Sequence, residues 1–201
     1  MPDRVPSPTS PSIKTGRRGL TMWRAIRNVF RRSDLDGDWQ GLADDAQRIR
    51  YLTIAEMLKG HDGSVLDVGC GEALLRSYLP AHCWYVGLEP SRLAAAGAHR
   101  RHPSALILNT TAEALQAHGA FTAIIFNESL YYCVDPVAVY NRLLPLLAPD
   151  GVIVCSIYQH GRTNRECERK IRALPHTIID DRVIPLAGHP GWHIWIAEMN
   201  S

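Results

Sequence analysis

From Ser64 onward, short apolar runs alternate with stretches of helical periodicity. The runs SVLDVG (64–69), WYVGLE (84–89), SALILN (104–109), FTAIIF (121–126) and GVIVCSIY (151–158) read as strands. Helices are predicted over 72–79, 91–101, 111–117 and 136–148, between those runs. Strands that are apolar nearly throughout and joined through helices belong to a parallel sheet covered on both faces, and right-handed crossovers confine the topology to the doubly wound class. The last quarter breaks the rhythm. TIIDDRVIPLAG and WHIWIAEM are two extended runs about His189-Pro190-Gly191, which predicts a terminal antiparallel hairpin. The expected fold is α/β, a doubly wound, mostly parallel seven-stranded sheet with helices on both faces and that C-terminal hairpin.

The start of the chain is different. Residues 1–19 are rich in Pro, Ser, Thr and Arg and hold few large apolar groups, so they read as a disordered tail. Residues 20–40 read as a basic amphipathic helix and linker: Met22, Trp23, Ile26, Val29 and Phe30 recur at helical spacing, with Arg24, Arg27 and Arg31 largely opposite. A longer helix follows over 42–59, closed by Gly60, and residues 41–201 form the main domain. With 201 residues, 46% of them hydrophobic, one core is expected. The net charge of +2 hides an asymmetry, because the first 32 residues hold eight basic side chains against one acid, Asp3. The basic helix fits a membrane surface or a protein partner as readily as RNA. Five cysteines without paired spacing, no apolar run of the roughly 18 residues a membrane span needs, and no secretory signal together predict a cytoplasmic protein. No metal is expected, since His189 and His193 flank the hairpin turn without a third and fourth ligand.

In doubly wound sheets, ligands bind outside the carboxyl ends of the strands where strand order reverses, usually beside the first. The loop there is Asp67-Val68-Gly69-Cys70-Gly71-Glu72-Ala73. A dinucleotide fingerprint would need glycine at 74, where the chain has Leu74, and an acid before the glycines suits a ligand that presents a cation better than a pyrophosphate. Glu89 ends the second strand eighteen residues beyond Gly71, where a carboxylate can accept from both hydroxyls of a ribose.

These residues resemble the class I, Rossmann-like S-adenosylmethionine-dependent methyltransferase superfamily in its small-molecule branch, over about residues 40–158. Its first motif, acid-x-Gly-x-Gly-x-Gly, is matched by Asp67, Gly69 and Gly71, with Ala73 in place of the last glycine. The resemblance implies S-adenosyl-L-methionine as cofactor, held by Asp67, Gly69, Cys70, Gly71, Glu89 and Pro90, by Thr111 and Ala112 after the third strand, and by Asn127 and Arg50. Thr111 stands where the superfamily often has an acid, and as a helix cap it has an equally good local use. After the fourth strand, Asn127-Glu128-Ser129-Leu130-Tyr131-Tyr132 implies a catalytic or acceptor-orienting Glu128 and an acceptor pocket lined by Tyr131 and Tyr132. The implied function is methylation of oxygen or nitrogen on a small-molecule metabolite. An RNA or protein methyltransferase and a non-catalytic nucleotide-binding module are the alternatives, nucleic acid is not the expected acceptor, and a homodimer is left open.

Overall fold

The computed structural model describes residues 12–15, 44–186 and 188–200. Its elements run β1 (Ser12–Thr15), α1 (Asp44–Met57), β2 (Ser64–Val68), β3 (Trp84–Leu88), α2 (Arg92–Arg101), β4 (Leu106–Leu108), β5 (Leu115–His118), β6 (Phe121–Asn127), α3 (Pro136–Leu143), β7 (Leu147–Tyr158), α4 (Gly161–Arg172), β8 (His176–Leu186) and β9 (His189–Met199). The main sheet has seven strands in the order β4-β3-β2-β6-β7-β9-β8. Its first five strands are parallel, and β9 and β8 form the antiparallel hairpin expected at the C-terminus.

Alternation along the strands divides the core. Leu66, Val68, Ile124, Phe126, Ile153, Cys155 and Trp195 face α3 and α4, where Val139, Tyr140, Leu143, Cys167 and Ile171 meet them. Val65, Ala123, Ile125, Val152, Val154, Trp192 and Ile194 face α1 and α2 through Ile54, Leu58 and Ala98. Strand order reverses between β2 and β6, so the carboxyl ends of these two central strands open onto one crevice.

Four local expectations are corrected. The helix expected over 72–79 is a 3₁₀ turn, Leu74–Tyr78, confined between Ala73, which is left-handed, and Pro80, which keeps Leu79 extended. The helix expected over 111–117 is absent: after one turn at Thr111, Leu115–His118 pairs antiparallel with Ser12–Thr15, a long-range contact that a short helical pattern does not outweigh. The helix expected to reach 148 stops at Leu143, because Pro145 lacks an N–H and tightens Leu144–Leu146 into a 3₁₀ turn, after which β7 starts at Leu147. Residues 161–172, to which no element was assigned, form α4. Ser12–Thr15 also lies within the segment read as a disordered tail. The rest of that segment and the basic helix expected at 20–32 lie outside the described residues.

A polar network fastens α4 to the hairpin. The His193 ring meets Glu168 through Nδ1 and Asp181 through Nε2 (2.9 Å), while Gln159 donates to Glu168 at 2.6 Å and the Arg172 guanidinium lies 5.1 Å from the Trp195 ring.

Candidate active site

The loop after β2 is built on two close approaches. The N–H groups of Gly69 and Cys70 both donate to the carbonyl of Leu88 (2.8 and 2.9 Å), which folds the loop over the end of β3. Gly69 is left-handed at φ 75°, and a Cβ on it would lie 2.6 Å from Cβ of Ser129. Conformation and space therefore both require glycine there. Cys70 turns its sulfur back over β3, so a Cβ at Gly87 would lie 2.6 Å from that Sγ. Gly71, at φ 57°, differs: a Cβ there would meet no protein atom within 4 Å.

Asp67 and Glu89 stand beside this loop. Asp67 is 1% exposed; its Oδ2 accepts from the Tyr85 hydroxyl at 2.6 Å, and its Oδ1 is buried without a hydrogen-bond partner among the described residues. Burial pushes the Asp67 carboxyl up to about 7, with Glu89 adding to the rise and the Tyr85 hydroxyl and Arg50 opposing it. Glu89 accepts from the N–H of Gly71 (2.9 Å, Oε2) and of Ser91 (2.7 Å, Oε1), which leaves a lone pair on each oxygen for a further donor. Its pKa too is raised by burial, against the pull of those two N–H groups. Asn109 clamps the following turn by donating to the carbonyls of Glu89 (2.8 Å) and Pro90 (3.0 Å).

A second carboxylate cluster closes the crevice at the end of β6. Glu128 adopts a left-handed φ of 61°, and its N–H donates to the Ser156 carbonyl at 3.0 Å. Its Oε1 accepts from Ser156 Oγ (3.0 Å) and lies 3.8 Å from Arg50 Nη1; its Oε2 accepts from the Tyr131 hydroxyl (2.8 Å) and the Tyr158 N–H (3.1 Å). Burial raises the Glu128 pKa, opposed by Arg50 and these donors. The Arg50 guanidinium lies 4.9 Å from the Tyr51 ring and 5.3 Å from the Trp192 ring. Arg50 Nε, Asn127 Oδ1, Ser129 Oγ and Trp192 Nε1 are buried without partners among the described residues. Unsatisfied polar atoms around one crevice are what a polar ligand would pair with.

The sequence model of the Methyltransferase domain family matches residues 31–186. The chain belongs to that family. It is 34% identical over 98 residues to the ubiquinone biosynthesis O-methyltransferase of Cereibacter sphaeroides, a match covering 46% of this chain and 40% of that protein. The aligned region thus spans less than half the length of this relative. The 1,6-didemethyltoxoflavin-N1-methyltransferase of Burkholderia thailandensis, solved with bound 1,6-didemethyltoxoflavin and S-adenosylhomocysteine, shares the fold with a TM-score of 0.70 and 19% identity, over 94% of this chain and 95% of that one. The N-methyltransferase NodS of Bradyrhizobium japonicum, solved with S-adenosylhomocysteine, gives a TM-score of 0.70 and 17% identity over 89% of this chain and 98% of that one.

In this methyltransferase fold, the residues picked out by sequence fall into two groups. Asp67, Gly69, Cys70, Gly71, Glu89 and Pro90 gather at the ends of β2 and β3, and Asn127, Glu128, Tyr131 and Arg50 gather at the end of β6. The Tyr132 ring lies tilted against that of Tyr131, with centroids 4.6 Å apart, and Tyr132 is 38% exposed. Thr111 uses its hydroxyl locally, accepting from the Ala114 N–H at 3.3 Å, and Ala112 is buried beside it. Sequence reasoning missed Tyr85, Ser156, Tyr158 and Trp192. Ser156 carried a signal, as a polar residue inside an otherwise apolar strand; the others reach the crevice through strand register. Among the described residues, no group of three or more His, Cys, Asp or Glu is placed to hold a metal ion.

Proposed function

We propose that this chain transfers a methyl group from S-adenosyl-L-methionine to oxygen or nitrogen of a small-molecule metabolite. One observation carries the reading: two buried carboxylates flank Gly71, Asp67 with one oxygen unpartnered among the described residues and Glu89 with acceptor capacity on both oxygens. An ammonium group beside Asp67 and a ribose diol beside Glu89 match that arrangement, and a pyrophosphate does not. Arg50, whose Nε is buried without a partner among the described residues, offers a cation to the cofactor's carboxylate. Thr111, Ala112 and Asn127 complete the proposed cofactor contacts.

When bound, S-adenosylmethionine supplies a methyl group that is already electrophilic, so the chain's work is to align an acceptor and exclude water. Alignment contributes about 7–11 kcal/mol, whereas a general base adds about 10²–10⁴-fold in rate. Of the two uses the sequence allows for Glu128, its four neighbours support the orienting one: the carboxylate is occupied by Ser156, Tyr131, Tyr158 and Arg50 and fixes Tyr131 at the acceptor side. Tyr131 and Tyr132 supply the acceptor wall. No described helix is long and apolar enough to cross a membrane, and the five cysteines are free thiols, which supports a cytoplasmic setting.

Calorimetry against S-adenosylhomocysteine and NADH tests the cofactor. Binding of the first alone is expected, and tight binding of NADH without it overturns the reading. Transfer of labelled methyl groups to separate metabolite, RNA and protein pools tests the acceptor, with incorporation expected in the metabolite pool.

A further inference from the structure

The Asp67 carboxylate is held by a residue that none of the motifs contains. Tyr85 lies on β3 two positions before Gly87, the residue paired with Asp67 across the β2–β3 ladder. In a strand, positions two apart share a face, so Tyr85 and Asp67 lie diagonally on the side covered by α1. Gly87 has no side chain, and the Tyr85 hydroxyl reaches past it to donate to Asp67 Oδ2 at 2.6 Å. Both groups are almost wholly buried, with exposures of 2% and 1%. A short hydrogen bond between such groups fixes the carboxylate plane, and of the two oxygens only Oδ1 is without a partner among the described residues.

We propose that Tyr85 is a positioning residue for cofactor recognition: by occupying Oδ2, it presents Asp67 Oδ1 to the cofactor's ammonium group. The inference rests on the methyltransferase reading above. Besides Tyr85, the charged and titratable groups facing Asp67 are Glu89 at the end of β3, Arg50 on α1 and the Cys70 thiol in its own loop. A hydrogen bond to the charged form favours that form, so the Tyr85 hydroxyl offsets part of the burial that drives Asp67 towards protonation. A protonated Asp67 cannot pair with a cation. Losing the hydroxyl therefore weakens binding most near neutral pH, and less where Asp67 is fully ionised.

Tyr85→Phe tests this, because it keeps the ring in the core and removes only the donor. Calorimetry with S-adenosylhomocysteine between pH 6 and pH 9 is expected to show about tenfold weaker binding at pH 7, with the pH at which affinity rises moved upward. Adenosine, which lacks the ammonium group, is expected to bind wild type and variant within about twofold of each other, as follows from additivity of independent contacts. In an Asp67→Asn background the same change is expected to do almost nothing to affinity. A lowered melting temperature with an unchanged affinity–pH profile overturns the proposal and leaves Tyr85 a core residue. Equal weakening of adenosine and S-adenosylhomocysteine also overturns it. A wild-type protein that binds neither ligand overturns the methyltransferase reading, and this inference falls with it.

Discussion

At the scale of single residues, the loop after β2 separates folding from binding. Gly69 and Gly71 are both left-handed, yet a side chain at Gly69 would strike Ser129, while one at Gly71 would enter open space beside Glu89. Gly69→Ala is therefore expected to cost about 2–5 kcal/mol through overpacking added to the left-handed penalty. Gly71→Ala should cost only the conformational term, about 1–2 kcal/mol, while weakening S-adenosylhomocysteine at least about tenfold. Thermal melts beside calorimetry read both, and an unchanged affinity in Gly71→Ala would remove the cofactor from that space. Ala73 explains how the third glycine of the motif can be absent: it is left-handed at φ 56°, but its methyl group is fully buried. The roughly 0.8 kcal/mol from burying that methyl offsets much of the penalty. Asp67 is a second case of function set against stability. Its folded pKa of about 7 stands above the ordinary 3.8, so between those values the native state holds a proton that the unfolded chain has released. Stability then falls as pH rises, by up to about 4 kcal/mol once the carboxyl is ionised above pH 7. Asp67→Asn should raise the melting temperature at pH 8, with a gain that shrinks towards pH 5, and should weaken S-adenosylhomocysteine about 10- to 150-fold. A gain independent of pH would contradict this assignment. Asp67, Gly69, Gly71 and Glu89 were legible in sequence because order and spacing mark them. Tyr85 was not, because only the β2–β3 register brings its hydroxyl to Asp67.

At the scale of elements, Glu128 ties three pieces together: α1 through Arg50, the turn after β6 through Tyr131, and β7 through Ser156 and the Tyr158 N–H. Glu128→Gln leaves Arg50 without its carboxylate partner and turns an amide NH₂ towards donors. It is expected to cost about 2–4 kcal/mol of stability and to lower turnover together with it. A general base would behave differently, losing about 10²-fold or more in turnover at an unchanged melting temperature. A melting curve beside single-turnover methyl transfer distinguishes the two. The strands of the main sheet were legible because continuous apolar runs are strong local signals, and only their ends moved; the hairpin closes between Leu186 and His189, so His189-Pro190-Gly191, read as the turn, instead opens β9. The short helices were not. At 72–79 a left-handed Ala73 and Pro80 leave five residues for one 3₁₀ turn, and at 111–117 pairing with Ser12–Thr15 outweighs the helical pattern. α4 escaped notice because its apolar face is small, and part of what it buries is Glu168, held by Gln159 and His193.

At the scale of the whole molecule, the β1–β5 ribbon stands apart from the seven-stranded sheet, and among the described residues β1 pairs with β5 alone. A two-stranded ribbon is marginal by itself, so this one draws its order from what β5 packs on. Leu115 is buried in the core against the α3 side, and Arg142 donates to its carbonyl at 3.0 Å. β5 therefore has an anchor that does not depend on β1. The ribbon still matters to the site, because Thr111 and Ala112, both proposed as cofactor contacts, lead directly into β5. Deleting residues 1–19 should leave the seven-stranded sheet intact and lower the melting temperature by roughly 2–4 °C, which corresponds to about 1 kcal/mol for a chain of this size. Affinity for S-adenosylhomocysteine should stay within about twofold if Leu115 and Arg142 suffice to hold the loop, since sites without shared contacts behave additively. Circular dichroism, melting and calorimetry on the shortened chain read these separately. A loss of affinity without a loss of the sheet would show that Ser12–Thr15 holds the 110–112 loop in place, and would make the start of the chain part of the cofactor site.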